Sequence, residues 1–288
     1  MSERLERVLA LAEQLLEELV GSGPGPKVFE HTLAFRWDAA RGPGRLLPIE
    51  DPARFDLDDL IGVDAPLSRL LQNTEQFLRG APANHVLLYG ERGTGKSSAV
   101  RGILARFAAQ GLRLIEVDKS ELVHLPRILA AIRSAGSELR FLVFCDDLSF
   151  DPGEAGSREL KAALEGSLEA PPANVRIIAT SNRRHLMPES MTDNRAAQVD
   201  EEGDLHLGEA LEEKLALSDR FGLVLGFYGF DQNTYLAIVQ HYVEQAGLDL
   251  PAEQVREEAL RWALRRASRS GRTARHFVTD LAGRHAIG

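Results

Sequence analysis

One stretch constrains this chain more than any other. Gly90-Glu91-Arg92-Gly93-Thr94-Gly95-Lys96-Ser97 matches G-x-x-x-x-G-K-[S/T] in full. It follows the apolar run His85-Val86-Leu87-Leu88-Tyr89, which reads as a strand, and precedes a helical pattern from Ser97 to Gln110. Glycines let such a loop fold back so that its N–H groups point inward at phosphate oxygens. The helix that follows turns its positive end to the same anion. Lys96 supplies a point charge for the β- and γ-phosphates of ATP, and Ser97 a hydroxyl for Mg²⁺. The expected nucleotide contacts are therefore Gly90, Glu91, Arg92, Gly93, Thr94, Gly95, Lys96 and Ser97, with Ser98 beside them.

Around this loop, strand and helix patterns alternate. Leu112 to Val117 reads as a strand, Leu125 to Ser134 as a helix, and Phe141 to Cys145 as a continuous apolar strand of the kind found inside a parallel sheet. Ser157 to Glu169 reads as a helix closed by Pro171-Pro172, and Val175 to Thr180 as the next strand. Leu223 to Phe227 completes the set. The alternation predicts an α/β fold, a P-loop parallel sheet sandwiched by helices. From Asp231 onward the pattern is helical, with Asp231 capping a helix through Gln245, Pro251 starting one through Arg266, and Thr273 starting a third. Three divisions follow: residues 1–54 as an N-terminal helix, linker and extension, 55–228 as the α/β nucleotide-binding domain, and 229–288 as a helical lid.

The strand Phe141–Cys145 ends in Asp146-Asp147. Two carboxylates leaving the sheet about one βαβ unit after a phosphate loop suit two roles. Asp146 is placed to hold Mg²⁺, and Asp147 to orient or deprotonate an attacking water.

With these motifs in order, the chain resembles the AAA+ ATPases from about Leu57 to its C-terminus. Leu57-Asp58-Asp59-Leu60-Ile61-Gly62-Val63-Asp64 is similar to the segment that lies against adenine in that superfamily, which implies a base contact at Ile61. Val175-Arg176-Ile177-Ile178-Ala179-Thr180-Ser181-Asn182 resembles the sensor 1 strand, so the resemblance gives Asn182 to the γ-phosphate and the attacking water. Leu217-Ser218-Asp219-Arg220-Phe221-Gly222 resembles the arginine-finger box, which implies that Arg220 acts at a neighbouring subunit's nucleotide. Gly271-Arg272-Thr273-Ala274-Arg275 resembles sensor 2, with Arg275 or, one turn away, Arg272 contacting the nucleotide. The whole chain, including Phe29-Glu30-His31-Thr32-Leu33-Ala34-Phe35-Arg36-Trp37, most resembles a bacterial AAA+ family carrying a domain-of-unknown-function label. The resemblance implies an ATPase with ATP and Mg²⁺ at the interface of a homo-oligomer, remodelling a protein or nucleic-acid client.

Two features depart from the common AAA+ pattern. Asp147 stands where many members carry Glu, and its carboxylate is one methylene shorter, which predicts slow hydrolysis. An Asp-Asp pair is similar to initiators and helicase loaders, so a nucleotide-gated loader or adaptor is the alternative reading. The loop after the second strand, Lys119-Ser120-Glu121-Leu122-Val123-His124-Leu125, lacks the aromatic-glycine pair of polypeptide-threading rings.

The remaining signals are weaker. Residues 2–20 carry an amphipathic helix pattern, and Gly21-Ser22-Gly23-Pro24-Gly25-Pro26 reads as a linker. Val28 to Trp37 is expected as a strand, Val199 to Leu207 as a hairpin around an acidic turn, and Gly208 to Leu217 as a helix. A net charge of −9 argues against a generally cationic nucleic-acid coat. The C-terminal arginines 261, 265, 266, 269, 272, 275 and 284 make a nucleic-acid contact conceivable without favouring it over ion pairing. The single cysteine, Cys145, reads as a buried strand residue, and the eight histidines show no metal-ligand spacing. No segment has the length and apolarity of a membrane span, and the N-terminus lacks a signal-peptide pattern, so the expected location is cytoplasmic.

Overall fold

The computed structural model describes residues 26–40, 42, 44–133, 138–151, 154–165, 172–184, 186, 198–199, 205–206 and 217–287. The expected helix over 2–20, the linker after it, and most of the expected helix Gly208–Leu217 lie outside these residues.

A seven-stranded sheet organises the chain. Its strands are β1 (Ala34–Asp38), β2 (Arg45–Ile49), β3 (Val86–Gly90), β4 (Leu112–Glu116), β5 (Arg140–Cys145), β6 (Val175–Ser181) and, after a separate two-residue pairing of β7 (Gln198–Val199) with β8 (Leu205–His206), β9 (Leu223–Phe227). Spatial order is β2-β1-β4-β5-β6-β3-β9, with every pairing parallel except β1 with β2. The helices are α1 (Pro26–His31), α2 (Asp64–Leu78), α3 (Lys96–Phe107), α4 (Leu125–Arg133), α5 (Ala155–Glu165), α6 (Gln232–Gln245), α7 (Ala252–Arg265) and α8 (Gly271–Ile287).

Strand β5 shows why the sheet is buried on both faces. Phe141, Val143 and Cys145 enter the core shared with α4 and α5, while Leu142 and Phe144 enter the core shared with α2 and α3. This is the period-2 alternation of a strand with helices on either side. A third cluster, built on Tyr235, Ala259 and Phe277, belongs to α6, α7 and α8 and makes the C-terminal helices a body with its own core. Asp231 caps α6 as its sequence predicts, its side chain accepting from the Thr234 N–H at 2.7 Å. The fold is therefore an α/β P-loop sheet sandwiched by helices and followed by a helical C-terminal region.

Several boundaries differ from the sequence pattern. Val28 to Trp37 is not one strand: residues 26–31 form α1, and only Ala34–Asp38 joins the sheet. Phe29 is fully buried and packs its ring tilted against Phe35 and edge to face against Phe141 from the helix, so the apolar spacing that suggested a strand is satisfied by a helix packed on a strand. Arg113 fixes the joint. Its guanidinium is buried and donates to the carbonyls of Phe29 at 2.6 Å and Glu30 at 3.0 Å, at the open end of the six-residue α1. The sequence pattern gives no element for α2, although Leu70 and Phe77 bury one of its faces. Helix α3 begins at Lys96 and ends at Phe107, with a 3-10 turn to Gln110, and α8 begins at Gly271 rather than Thr273.

Candidate nucleotide site

The C-terminal ends of β3, β5 and β6 converge on one cavity of about 640 Å³, within the range of small-molecule sites. The loop from β3 to α3 forms its floor. Gly90 adopts φ +133°, and a Cβ there would lie 1.9 Å from the Phe227 carbonyl oxygen, so only glycine fits between β3 and β9. Gly93 adopts φ +79°, and a Cβ there would lie 2.7 Å from Ser270 Oγ, so the loop also packs closely on the approach to α8. The Glu91 N–H donates to Phe227 O at 3.1 Å, and Arg272 N–H to Gly93 O at 3.4 Å, tying the loop to strand β9 and to the start of α8.

Lys96 Nζ donates to the carbonyls of Gly90 and Glu91, both at 2.7 Å, and to Asn182 Oδ1 at 3.3 Å. Burial pulls this ammonium below its ordinary range, and Arg272 and Arg92 push it the same way, while Asp147 and Asp146 oppose them. A second hydrogen-bonded chain lies across from it. Ser97 Oγ donates to Asp146 Oδ1 at 2.7 Å, and Thr180 Oγ1 donates to the same oxygen at 2.5 Å. The Asp147 N–H donates to Thr180 Oγ1 at 2.8 Å, and the Asp147 carboxylate accepts from the Asn182 amide. Six side chains from two strand ends and one helix start are thus joined within hydrogen-bonding reach: Lys96, Ser97, Asp146, Asp147, Thr180 and Asn182.

Of the residues expected from the sequence, the cavity is lined by Ile61, by Arg92 through Ser98, by Asp146, Asp147 and Asn182, and by Arg275. Gly90 and Glu91 sit behind the loop and present carbonyls to Lys96. Arg272 lines the cavity together with Arg275, so both members of the expected pair reach it. Arg220 does not line the cavity of its own chain; its Nε pairs with Glu165 at the end of α5. Sequence reasoning missed the far wall, where Phe55 and Leu60 meet Ile238 and Tyr242 of α6. Burial, with the nearby Asp59 carboxylate, raises the Tyr242 hydroxyl above its ordinary value. A periodic helix gives no local sign that one of its residues faces a cavity whose other wall lies nearly two hundred positions away in sequence.

The C-terminal arginines are largely committed within the chain. Arg261 pairs with Glu257 at 2.7 Å, Arg284 with Glu258 at 2.9 Å and Asp280 at 3.0 Å, and Arg265 and Arg266 lie over the Trp262 ring. Cys145 is buried, and its thiol is pushed up to about 12, chiefly by burial. Among the described residues no helix is long and apolar enough to cross a membrane.

The fold is similar to that of other solved proteins. RuvB of Thermotoga maritima superposes with a TM-score of 0.50 at 16% identity, over 77% of this chain and 62% of that one. The AAA domain of FIGL-1, solved in complex with ADP, superposes with a TM-score of 0.50 at 19% identity, over 81% of this chain and 74% of that one. The chain thus spans less than two thirds of the RuvB chain it matches, and the likeness is one of fold, the AAA+ fold. No curated protein matches the sequence. The family described as "Protein of unknown function (DUF815)" matches residues 30–285, nearly the whole length. By that match this chain is a member of the DUF815 family, with the AAA+ fold.

Proposed function

We propose that this chain is a cytoplasmic AAA+ ATPase that binds Mg·ATP and hydrolyses it at the interface between its own copies, driving remodelling of a protein or nucleic-acid client. One observation carries the reading. A phosphate loop, a lysine, a hydroxyl–carboxylate pair for a hard cation and a carboxylate–amide pair for a water line a single cavity of nucleotide size.

The donor set fits Mg²⁺. Ser97 Oγ and Asp146 supply hard oxygen ligands side by side, and among the described residues no cluster of three or more His, Cys, Asp or Glu forms a protein-only cage. That suits a cation that keeps water and takes phosphate oxygens. When bound, the ion offsets charge on the phosphates. The rest is done by this chain's own groups. Lys96 bonds the terminal phosphates, the loop N–H groups cradle them, and Asp147 accepts a proton from a water held by Asn182. Arg272 and Arg275 place lid cations beside the phosphates, and Ile61 packs on the base.

Arg220 serves a neighbouring copy. It precedes β9, whose C-terminal end meets the phosphate loop, so the five residues of that strand, about 16 Å, separate it from its own cavity. A contact that joins one end of the molecule to the other is head-to-tail and builds rings or filaments.

The alternative, a nucleotide-gated loader or adaptor, is supported by Asp147 itself. Its shorter carboxylate is held by Asn182, an arrangement suited to slow turnover. Threading of a polypeptide has less support. Residues Lys119–His124 form a 3-10 turn clamped by the Lys119–Glu154 ion pair at 2.9 Å and packed on α5.

Turnover measured across protein concentrations for wild type, Lys96→Ala and Arg220→Ala tests the proposal. Both variants are expected to lose at least about a hundredfold, Arg220→Ala while still binding nucleotide. Equal turnover by wild type and Arg220→Ala at high concentration would remove the shared site.

A further inference from the structure

Beside the cavity, the ends of three adjacent strands carry a group of side chains that binding and hydrolysis do not use. Tyr89, Ser181 and Gly226 are level in β3, β6 and β9. Tyr89 is half-buried, and Tyr228, two residues past Gly226, is 68% exposed. Their hydroxyls lie 2.7 Å apart, and the rings meet edge to face at 6.1 Å. The Arg184 guanidinium lies over the Tyr89 ring at 5.7 Å, and Arg183 and Arg184 are both exposed. The cluster adjoins the site: Tyr89 immediately precedes the phosphate loop, Arg184 follows Asn182 by two residues, and Gly229 packs against the Glu91 carboxylate. An exposed, pre-formed patch of tyrosines and arginine has the composition of an interface centre.

The opposite end of the molecule has the complementary chemistry. Around Arg220 stand Glu165, which pairs with it, and the exposed Asp219. The finger-bearing end therefore offers one arginine flanked by two carboxylates, while the cavity end offers Arg183 and Arg184 flanked by tyrosines.

We infer that the Tyr89–Tyr228–Arg184 patch is the docking surface for the Glu165–Asp219–Arg220 end of a second copy, and that Glu165 exchanges its own Arg220 for the neighbour's Arg184 as the copies meet. This rests on the shared-site reading and specifies its surface and its regulation. An arginine delivered beside Asn182 brings its flanking carboxylate within one or two residues' length of that position, where Arg183 and Arg184 stand. In the separate chain Glu165 competes with phosphate for Arg220. In the assembly Arg184 takes over the carboxylate and leaves the guanidinium for the nucleotide. Tyr228 and Tyr89 supply the stiff apolar contact beneath the ion pair.

The test is the mass distribution of the full chain in magnesium and a non-hydrolysable ATP analogue, for wild type, Tyr228→Ala, Arg184→Glu, Glu165→Arg and the Arg184→Glu/Glu165→Arg double variant. Tyr228→Ala and Arg184→Glu are expected to raise the concentration at which half the chains assemble about tenfold or more, with analogue affinity of the separate chain unchanged. The double variant should recover most of the loss, because the reversed charges again oppose each other, which a merely structural defect would not do. Assembly midpoints that match wild type in all variants, or a double variant no better than its parents, would overturn the inference. So would loss of single-stranded oligonucleotide retention in Tyr228→Ala and Arg184→Glu with assembly intact, which would make the patch a base-stacking platform. Wild type that binds the analogue but remains monomeric removes the docking surface and leaves nucleotide binding standing. Wild type that binds no analogue removes the shared-site reading itself.

Discussion

Asp147 sits at φ 50°, a left-handed conformation that a non-glycine residue adopts at a cost of about 1–3 kcal/mol. The turn is held by the Asp147 N–H on Thr180 and by Leu148 N–H on the Thr180 carbonyl at 2.7 Å, and it aims the carboxylate at Asn182 rather than along the strand. Asp147→Asn keeps the shape and removes the carboxylate proposed as the base. It is expected to retain nucleotide affinity and to lose about a hundredfold or more in turnover, read by single-turnover phosphate release. His85 offers a residue-scale test of stability. Its ring is lowered from 6.5 to about 4, mainly by burial and then by Arg176, and its Nδ1 accepts the Ile177 N–H at 2.9 Å. Between those two values the unfolded chain takes a proton that the folded chain refuses, so stability falls as pH drops from 6.5 towards 4. Denaturant midpoints measured across that window should decline for wild type and decline less for His85→Gln.

At the scale of elements, the sheet was legible where chemistry and local pattern coincide. Strand β5 is a continuous apolar run ending in two carboxylates, and β3 runs directly into a glycine-rich loop, so both strands, and the residues their ends bring to the cavity, could be read off the chain. The segment around α1 could not. Phe29, Phe35 and Trp37 satisfy strand spacing, but Arg113, more than eighty residues away in sequence, decides the outcome by bonding the carbonyls at the end of a single helical turn and a half. Removing it leaves the buried Phe29 carbonyl and the part-buried Glu30 carbonyl without those donors. Arg113→Met is therefore expected to destabilise the chain by about 1–3 kcal/mol, measured as a lowered urea midpoint, with the nucleotide cavity unaffected. The far wall of the cavity was illegible for a related reason. Ile238 and Tyr242 lie on a helix whose pattern shows only that one face is buried, and which side chains meet Ile61 depends on how the C-terminal body sits on the sheet.

At the scale of the molecule, two bodies share one cavity. Asp59, in the turn before α2, accepts from His241 at 2.7 Å and from Gln245 at 2.6 Å on α6, so that wall of the cavity is pinned to the C-terminal body by side chains as well as by packing. Nucleotide binding should therefore hold the two bodies together, and an ATP analogue with magnesium is expected to raise the melting temperature of wild type but not of Lys96→Ala, by thermal unfolding. Everything at this scale depends on the phosphate loop gripping a triphosphate with the metal. Titration calorimetry of the folded chain with an ATP analogue in saturating magnesium tests that most directly. One site per chain is expected, weakened severely by Lys96→Ala and by omission of magnesium. Absence of binding heat at several temperatures, from protein with the circular dichroism of the folded state, would contradict it.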